Sequence, residues 1–350
     1  MRTPVVVGLD NGGTSNNATV LDSAGAFLVD GLVETGSRVR EGPEIALGAL
    51  AESLDLVLRQ TGTPRSAVAA IGLDTPGPAS ADGVLSARGA TNFAHQDWFG
   101  FDIRGALEAR LGVPVIYNND GNAAAFYAHT VHFGTGTGRS SVAAIVGTGL
   151  GGGVIEDGRI VRGAAGMAGE FGHVHIPMDG LLEADQPVPA CNCGFAADAE
   201  SIASLSGIEN NLLPYWLTRY PDHELARVPL AEAAKRLRGY AERDDPLALK
   251  VFAQQARALG RLFTIAANFT DPDAYFVGGG LVESAPRFRN WFVSEVREHT
   301  VLRKEQAEVA TFALVPDLDM AGARGSALAA MASVLGDGSA AAPAPDAAAR

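Results

Sequence analysis

Cysteine is nearly absent: the 350 residues contain two, Cys191 and Cys193. One residue between them is a poor spacing for a structural disulfide and a reasonable one for a metal, so a disulfide-stapled secreted scaffold is excluded and the cytoplasm is the expected compartment. Long apolar runs are missing too. No stretch approaches the ~18 unbroken apolar residues of a membrane span. Met1-Arg2-Thr3-Pro4 leads straight into an apolar strand without a cleavable leader, so no membrane partner is expected. Positive charge is scarce: 27 Lys and Arg stand against 40 Asp and Glu, a net charge of −13. Nucleic-acid phosphates would be repelled, and no nucleic-acid partner is expected. A small phosphate is not excluded, because backbone dipoles can hold it without side-chain charge.

What the chain has is glycine, 42 residues of it, within a composition that is 47% hydrophobic and long enough for two domains sharing a cleft or one large domain. The glycines are not scattered evenly. An apolar run over 142–146 enters the turn Gly147-Thr148-Gly149, continues through Gly151-Gly152-Gly153 into Val154 and Ile155, and turns again at Asp157-Gly158. A weaker copy stands at the start: 5–9, then Asp10-Asn11-Gly12-Gly13-Thr14, then 18–21 and a turn over 22–25. Each copy reads as a β-hairpin, and two such hairpins can grip one phosphate chain from opposite sides. A little over twenty residues beyond Gly149 come Glu170 and His173, an acceptor and a switchable donor for a polyol.

Between these landmarks strands and helices alternate, the mark of an α/β protein. Helices are predicted over 44–60, 103–111, 230–237, 246–269, 288–298 and 322–334. Strands are predicted over 68–73, 113–117 and 274–277. The first ends in the turn Asp74-Thr75-Pro76-Gly77-Pro78, and the last runs into Gly278-Gly279-Gly280. A polar loop, Asn118-Asn119-Asp120-Gly121-Asn122, opens an Ala-rich helix from about Ala123. The segments 199–204 and 212–220 give no clear pattern, and 336–350, all Ala, Pro, Gly, Asp, Ser and Arg, is expected to be disordered.

Asp120 follows a strand and precedes a helix, where open α/β folds bind ligands. A carboxylate there can accept the proton of a sugar hydroxyl attacking a γ-phosphate, and the same position suits a helix N-cap. Asp10 beside Gly12-Gly13-Thr14 can hold a hydrated Mg²⁺ or serve as a turn residue. Bare backbone at Gly279 and Gly280 can take an adenosine. His173, His175, Cys191 and Cys193 form a zinc-type donor set, in which the two cysteines would be completed by the histidines or by Asp198, and two buried cysteines without metal are the alternative.

Together these motifs resemble the ROK family of bacterial sugar kinases, within the actin-like, hexokinase-like ATPase superfamily. The resemblance runs from Val5 to about Ala330. It is carried by Asp10-x-Gly12-Gly13-Thr14, Pro76-Gly77-Pro78, Asn92 upstream of Trp98, Asn119-Asp120-x-Asn122 and Gly147-Thr148-Gly149, and then by Ala168-Gly169-Glu170-x-Gly172-His173, Cys191-x-Cys193-Gly194, Glu200 and Gly278-Gly279-Gly280. It implies two actin-like (ribonuclease H-like) α/β domains flanking a cleft. The small domain would span 1–118, joined by a C-terminal helix at about 320–335, and the large one 119–319, with a sugar and zinc region at 165–205.

The implied reaction is ATP-dependent phosphorylation of an aldohexose 6-hydroxyl, glucose first, with N-acetylmannosamine, N-acetylglucosamine, allose or another hexose as alternatives. A sugar-binding regulatory protein without catalysis is the reading from another class. A sugar-responsive repressor of the same family would need a helix-turn-helix before the first strand, where four residues stand. The resemblance makes Asp120 the general base. It assigns Gly77, Asn92, Asn119, Glu170, His173 and Glu200 to the sugar. Gly12, Gly13, Thr14, Thr148 and Gly149 fall to the ATP phosphates, Gly279 and Gly280 to the adenosine, and Asp10 to Mg²⁺ through water. It implies zinc on His173 and the cysteines, and a homo-oligomer, dimer or tetramer.

Four departures stand out. Ser15 occupies the place of a lysine after Gly-Gly-Thr. Asp198 takes the place of a third cysteine, after Ala197 in place of glycine, so zinc would need His173, Cys191, Cys193 and Asp198, with His175 as a substitute. Residues 178–190 lengthen the link from His173 to Cys191, and the aromatic segment 212–220 has no counterpart. Both of these are expected near the sugar pocket.

Overall fold

The computed structural model describes residues 4–31, 33–86 and 93–335, and the expectations for Asn92 and for the tail 336–350 lie outside them. Two five-stranded sheets organise the chain. In the first, β1 (Val5–Asn11), β2 (Ser15–Asp22), β3 (Val33–Gly36), β4 (Val68–Thr75) and β5 (Val115–Asn119) lie in the order β3-β2-β1-β4-β5. In the second, β6 (Ser141–Val146), β7 (Leu150–Glu156), β8 (Arg159–Ile160), β9 (Ala274–Gly279) and β10 (Thr311–Leu314) lie in the order β10-β9-β6-β7-β8. The two orders are the same. β1 pairs antiparallel with β2 and parallel with β4, as β6 does with β7 and β9. The two hairpins legible in the sequence are thus equivalent strands of two like α/β units.

Helices cover the sheets: α1 (Pro43–Thr61), α2 (Ile103–Leu111), α3 (Asp120–Phe133), α4 (Leu205–Gly207), α5 (Leu213–Arg219), α6 (Leu230–Ala241), α7 (Pro246–Thr270), α8 (Pro286–Glu298), α9 (Lys304–Val309) and α10 (Leu318–Leu335). Their ends follow local chemistry. Asp102 caps α2 by accepting the Gly105 N–H at 2.7 Å, and Gly112 closes it in the left-handed region. Asp245 caps α7, whose first residue is Pro246. The helix expected from Ala123 begins three residues earlier, at Asp120. The reason is a side chain: Asn119 Oδ1 accepts the Asn122 N–H at 2.7 Å, so Asn119 and not Asp120 is the cap. The unclear segment after 204 is one helical stretch, α4 joined to α5 through a π-turn at Ile208–Leu212.

The last helix decides how the pieces fit. α10 lies against β1, β4 and α3 with almost no side chain between. A β-carbon on Gly8 would sit 1.9 Å from the Ala323 carbonyl oxygen, one on Gly72 1.9 Å from that of Ser326, and one on Gly325 1.9 Å from that of Ala123. An apolar layer of Ala124, Ala128, Phe276, Ala321 and Ala327 fills the space around α3 and α10. Separate cores lie behind each sheet, one around Leu50, Leu54, Ile71 and Trp98, the other around Trp216, Leu259, Phe263 and Phe292. Among the described residues no helix is long and apolar enough to cross a membrane.

The lengthened link and the aromatic segment explain one another. Tyr215 and Arg219 both hold Asp185, at 2.8 Å and by an ion pair. Gln254 on α7 joins Trp216 to Gln186 in a buried amide network, and Arg261 donates to the carbonyls of Pro177 and Asp179. The extra residues are thereby docked on α5 and α7.

Candidate active site

The ends of β1, β4 and β5, the start of α3 and the turn before β7 converge. The turn Gly12–Thr14 joins β1 to β2, and Gly147–Gly149 joins β6 to β7. Each is internally tied, Gly12 N–H to Ser15 O at 2.9 Å and Gly147 N–H to Gly149 O at 2.9 Å. Thr14 and Thr148 are exposed. β9 ends beside the second turn. Gly279 has φ +102°, and a β-carbon there would lie 1.8 Å from the Val146 carbonyl oxygen, so only glycine fits. Gly280 follows, exposed, with its carbonyl accepting from Arg238 of α6.

The glycine run Gly151–Gly153 serves close packing against α3. A β-carbon on Gly121 would meet Gly152 backbone at 2.5 Å, and one on Gly153 would meet Ala125 at 2.6 Å. The run lets the first turn of α3 lie directly on β7. That close approach carries Asp120 to the cleft beside the second turn.

Asp120 is open to the cleft, and its Oδ1 accepts the Gly121 N–H at 2.7 Å. Crowding by protein, with the charges of Asp10 and Glu170 added, pushes its pKa up to about 7. Next to it, Asn119 Nδ2 donates to Glu170 Oε1 at 3.3 Å, and Gly77 lies near both, a β-carbon there being 3.8 Å from that oxygen. Gly77, Asn119 and Glu170 therefore form one polar wall. Glu170 is raised by burial, opposed by the His173 charge.

A second carboxyl, read from the sequence only as part of a turn, belongs here. Asp74 is the parallel-sheet neighbour of Asp10 and is fully buried. It accepts the Ser326 hydroxyl of α10 at 2.7 Å, while Asp10 accepts Asn17 Nδ2 at 3.0 Å. Burial raises both carboxyls, Asp74 well above the ordinary range, with the charge of Asp10 adding to the effect. A visible signal existed: Asp74 is next to last in β4 as Asp10 is in β1.

His173, Cys191, Cys193 and Asp198 come together, with ligand-capable atoms all within 4.8 Å of one another. His173 Nδ1 and Cys193 Sγ each lie 3.5 Å from Asp198 Oδ2. The hydrogen bond to Asp198 lifts the His173 pKa to about 9. Burial pushes Asp198 up, but hydrogen bonds from His173 and both cysteines outweigh it and hold the carboxylate low. Two sulfurs, an imidazole and a carboxylate nearly in contact are a donor set that fits Zn²⁺. The backbone of His175 bridges to Asp198, but its ring is not in the group and packs edge-on to Phe195, centroids 5.9 Å apart. Glu200 lies between this group and the second turn, accepting the Leu150 N–H at 2.8 Å and facing Cys191 Sγ at 3.3 Å.

The ROK family profile matches residues 6–333, nearly the whole chain. The chain belongs to the ROK family. Within it, the glucokinase of Streptomyces coelicolor is 31% identical over 288 residues, covering 79% of this chain and 82% of the relative. Among solved structures, the ROK hexokinase from Thermus thermophilus superposes with a TM-score of 0.74 at 30% identity, over 95% of this chain and 99% of that one. The ROK glucokinase of Streptomyces griseus, in complex with glucose and AMPPNP, gives 0.68 at 27% identity, over 93% and 99%. The duplicated sheets are the two-domain actin-like fold of ROK kinases, and the protein is a sugar kinase of the ROK family.

Proposed function

We propose that this ROK protein transfers the γ-phosphoryl group of ATP to the 6-hydroxyl of an aldohexose, glucose first. The observation that carries the reading is Asp120, a cleft carboxyl poised at about 7 between a hydroxyl-binding wall and two Gly/Thr turns. Asp120 takes the proton of the sugar hydroxyl as its oxygen bonds to the γ-phosphorus and the bond to the ADP oxygen breaks. Gly77, Asn119, Glu170, His173 and Glu200 orient the sugar. Gly12, Gly13, Thr14, Thr148 and Gly149 bear the phosphate charge through backbone N–H groups, and Gly279 and Gly280 flank the adenosine. Asp10 would hold Mg²⁺ through water, and that ion would neutralise charge on the β- and γ-phosphates. The units 1–118 and 119–319 act as the two sides of the cleft, with α10 packed on β1 and β4 of the first and on α3 of the second. ADP release from MgATP across a panel of hexoses and N-acetylhexosamines tests the reading. Glucose is expected to respond strongly, and silence across the panel of folded, metal-replete protein would overturn it.

The pH profile follows from the same carboxyl. Asp120 accepts a proton only when ionised. Its pKa lies above that of an ordinary carboxyl, so the active form is lost as pH falls through about 7. kcat/KM is expected to rise about tenfold per unit below that value and to level off above it. A profile flat from pH 5.5 to 8 would remove Asp120 from the role.

The group His173, Cys191, Cys193 and Asp198 is proposed to bind one zinc, with the carboxylate as a harder ligand than a third thiolate would be. Metal analysis of unchelated protein is expected to give one equivalent per chain, and well under one equivalent disposes of the site.

A further inference from the structure

We infer that Glu200 is a positioning residue for the ATP phosphate turn Gly147–Gly149, in addition to any contact it makes with sugar. The inference rests on the phosphoryl-transfer reading above. Both carboxylate oxygens of Glu200 are engaged. Oε2 accepts the Leu150 N–H at 2.8 Å, and Oε1 faces the Cys191 thiol at 3.3 Å. A β-carbon on Gly149 would lie only 2.5 Å from Oε2, so the carboxylate rests against the turn itself. Glu200 is fixed in its own backbone, its N–H donating to Gly172 O at 2.8 Å.

The residues that follow Glu200 complete the grip. Leu205 N–H donates to Gly147 O at 3.0 Å, and Ser206 donates to Thr148 O twice, from its N–H at 3.1 Å and its hydroxyl at 2.9 Å. In a trans peptide the carbonyl and the next N–H point in opposite directions. Anchoring the carbonyls of Gly147 and Thr148 on segment 200–206 therefore turns the N–H groups of Thr148 and Gly149 away from it. Those are the donors the phosphate needs. The demand on them is high here, because Ser15 brings no cation to the opposite turn. A sugar hydroxyl arriving at Oε1 would meet the same carboxylate that seats the phosphate turn, so the two substrate sites share one side chain.

The test is the dissociation constant of a non-hydrolysable ATP analogue with Mg²⁺, measured by calorimetry on the full chain without sugar. Glu200→Ala is expected to weaken it about tenfold or more, the scale of a lost charge-assisted hydrogen bond. Glu200→Gln keeps an acceptor oxygen for Leu150 N–H and is expected to restore most of the affinity. Ser206→Ala is expected to weaken it about threefold, the scale of one neutral bond. The inference is overturned if Glu200→Ala binds the analogue like the parent while sugar affinity alone falls. Should Glu200→Ala not fold, Glu200→Gln must bind near parental strength and Ser206→Ala more weakly, and parental affinity in Ser206→Ala overturns it. A parent that binds no analogue at all defeats the phosphoryl-transfer reading, and Glu200 with it.

Discussion

Asp120→Asn is expected to lower turnover about a thousandfold, within the range removal of a general base produces, while sugar affinity stays within a fewfold of the parent. Asparagine keeps the size of the side chain and an oxygen for the Gly121 N–H, so the first turn of α3 is undisturbed. The helix is capped by Asn119, and the substitution does not touch that cap. Loss of function in this variant therefore reports chemistry and not unfolding. Steady-state ADP release and calorimetric sugar binding, measured side by side, separate the two. Turnover within tenfold of the parent would transfer the proton-accepting role to another carboxyl, such as Glu170, which accepts from the neighbouring Asn119.

The largest expected stability effect lies away from the cleft. Gly72→Ala places a β-carbon 1.9 Å from the Ser326 carbonyl oxygen and 2.3 Å from its carbon. Both are backbone atoms of α10, so no side chain can rotate out of the way. Relief requires shifting a helix that also packs on Gly8 through Ala323 and on α3 through Gly325. A cost of about 3 kcal/mol or more is expected, at or beyond the upper end of ordinary overpacking. It should appear as a fall in the urea midpoint at constant slope. Gly36→Ala is the control. Nothing lies within 4 Å of a β-carbon there, and a change within about 0.5 kcal/mol is expected. Equal midpoints for the two variants would mean that α10 yields more easily than its packing indicates.

The parts of this protein legible in the sequence are those that local chemistry dictates. The Gly/Thr turns needed no tertiary information, and their apolar flanks repeat at the two places where the two sheets begin. The capped helices were equally visible. What escaped is what depends on distant partners. Asp74 reads as a turn aspartate until parallel pairing sets it beside Asp10 and α10 brings Ser326 to it. The glycines at 151–153 read only as part of a hairpin until α3 is seen lying on them. β3, α9 and β10 are each six residues or fewer and too short to carry a period. The π-turn at Ile208–Leu212 breaks the 3.6-residue spacing that would have revealed the helix across 205–219. His173, Cys191, Cys193 and Asp198 were candidates from their donor chemistry, and folding separated them from His175 by turning that ring to Phe195.

The placement of α10 also bears on how the chain is made. β1 and β4 leave the ribosome well before the helix that seals one face of them. Until that helix emerges, the glycine-lined surface at Gly8 and Gly72 has no cover. The packing around β1 and β4 cannot be finished before α10 has emerged, and its completion waits for a contact spanning some three hundred residues, as Gly8 to Ala323 does. A truncation that stops before Leu318 is then more than a shortened protein: it is a nascent-chain intermediate held permanently open, with the strands that carry Asp10 and Asp74 exposed to whatever chaperone or neighbour reaches them first.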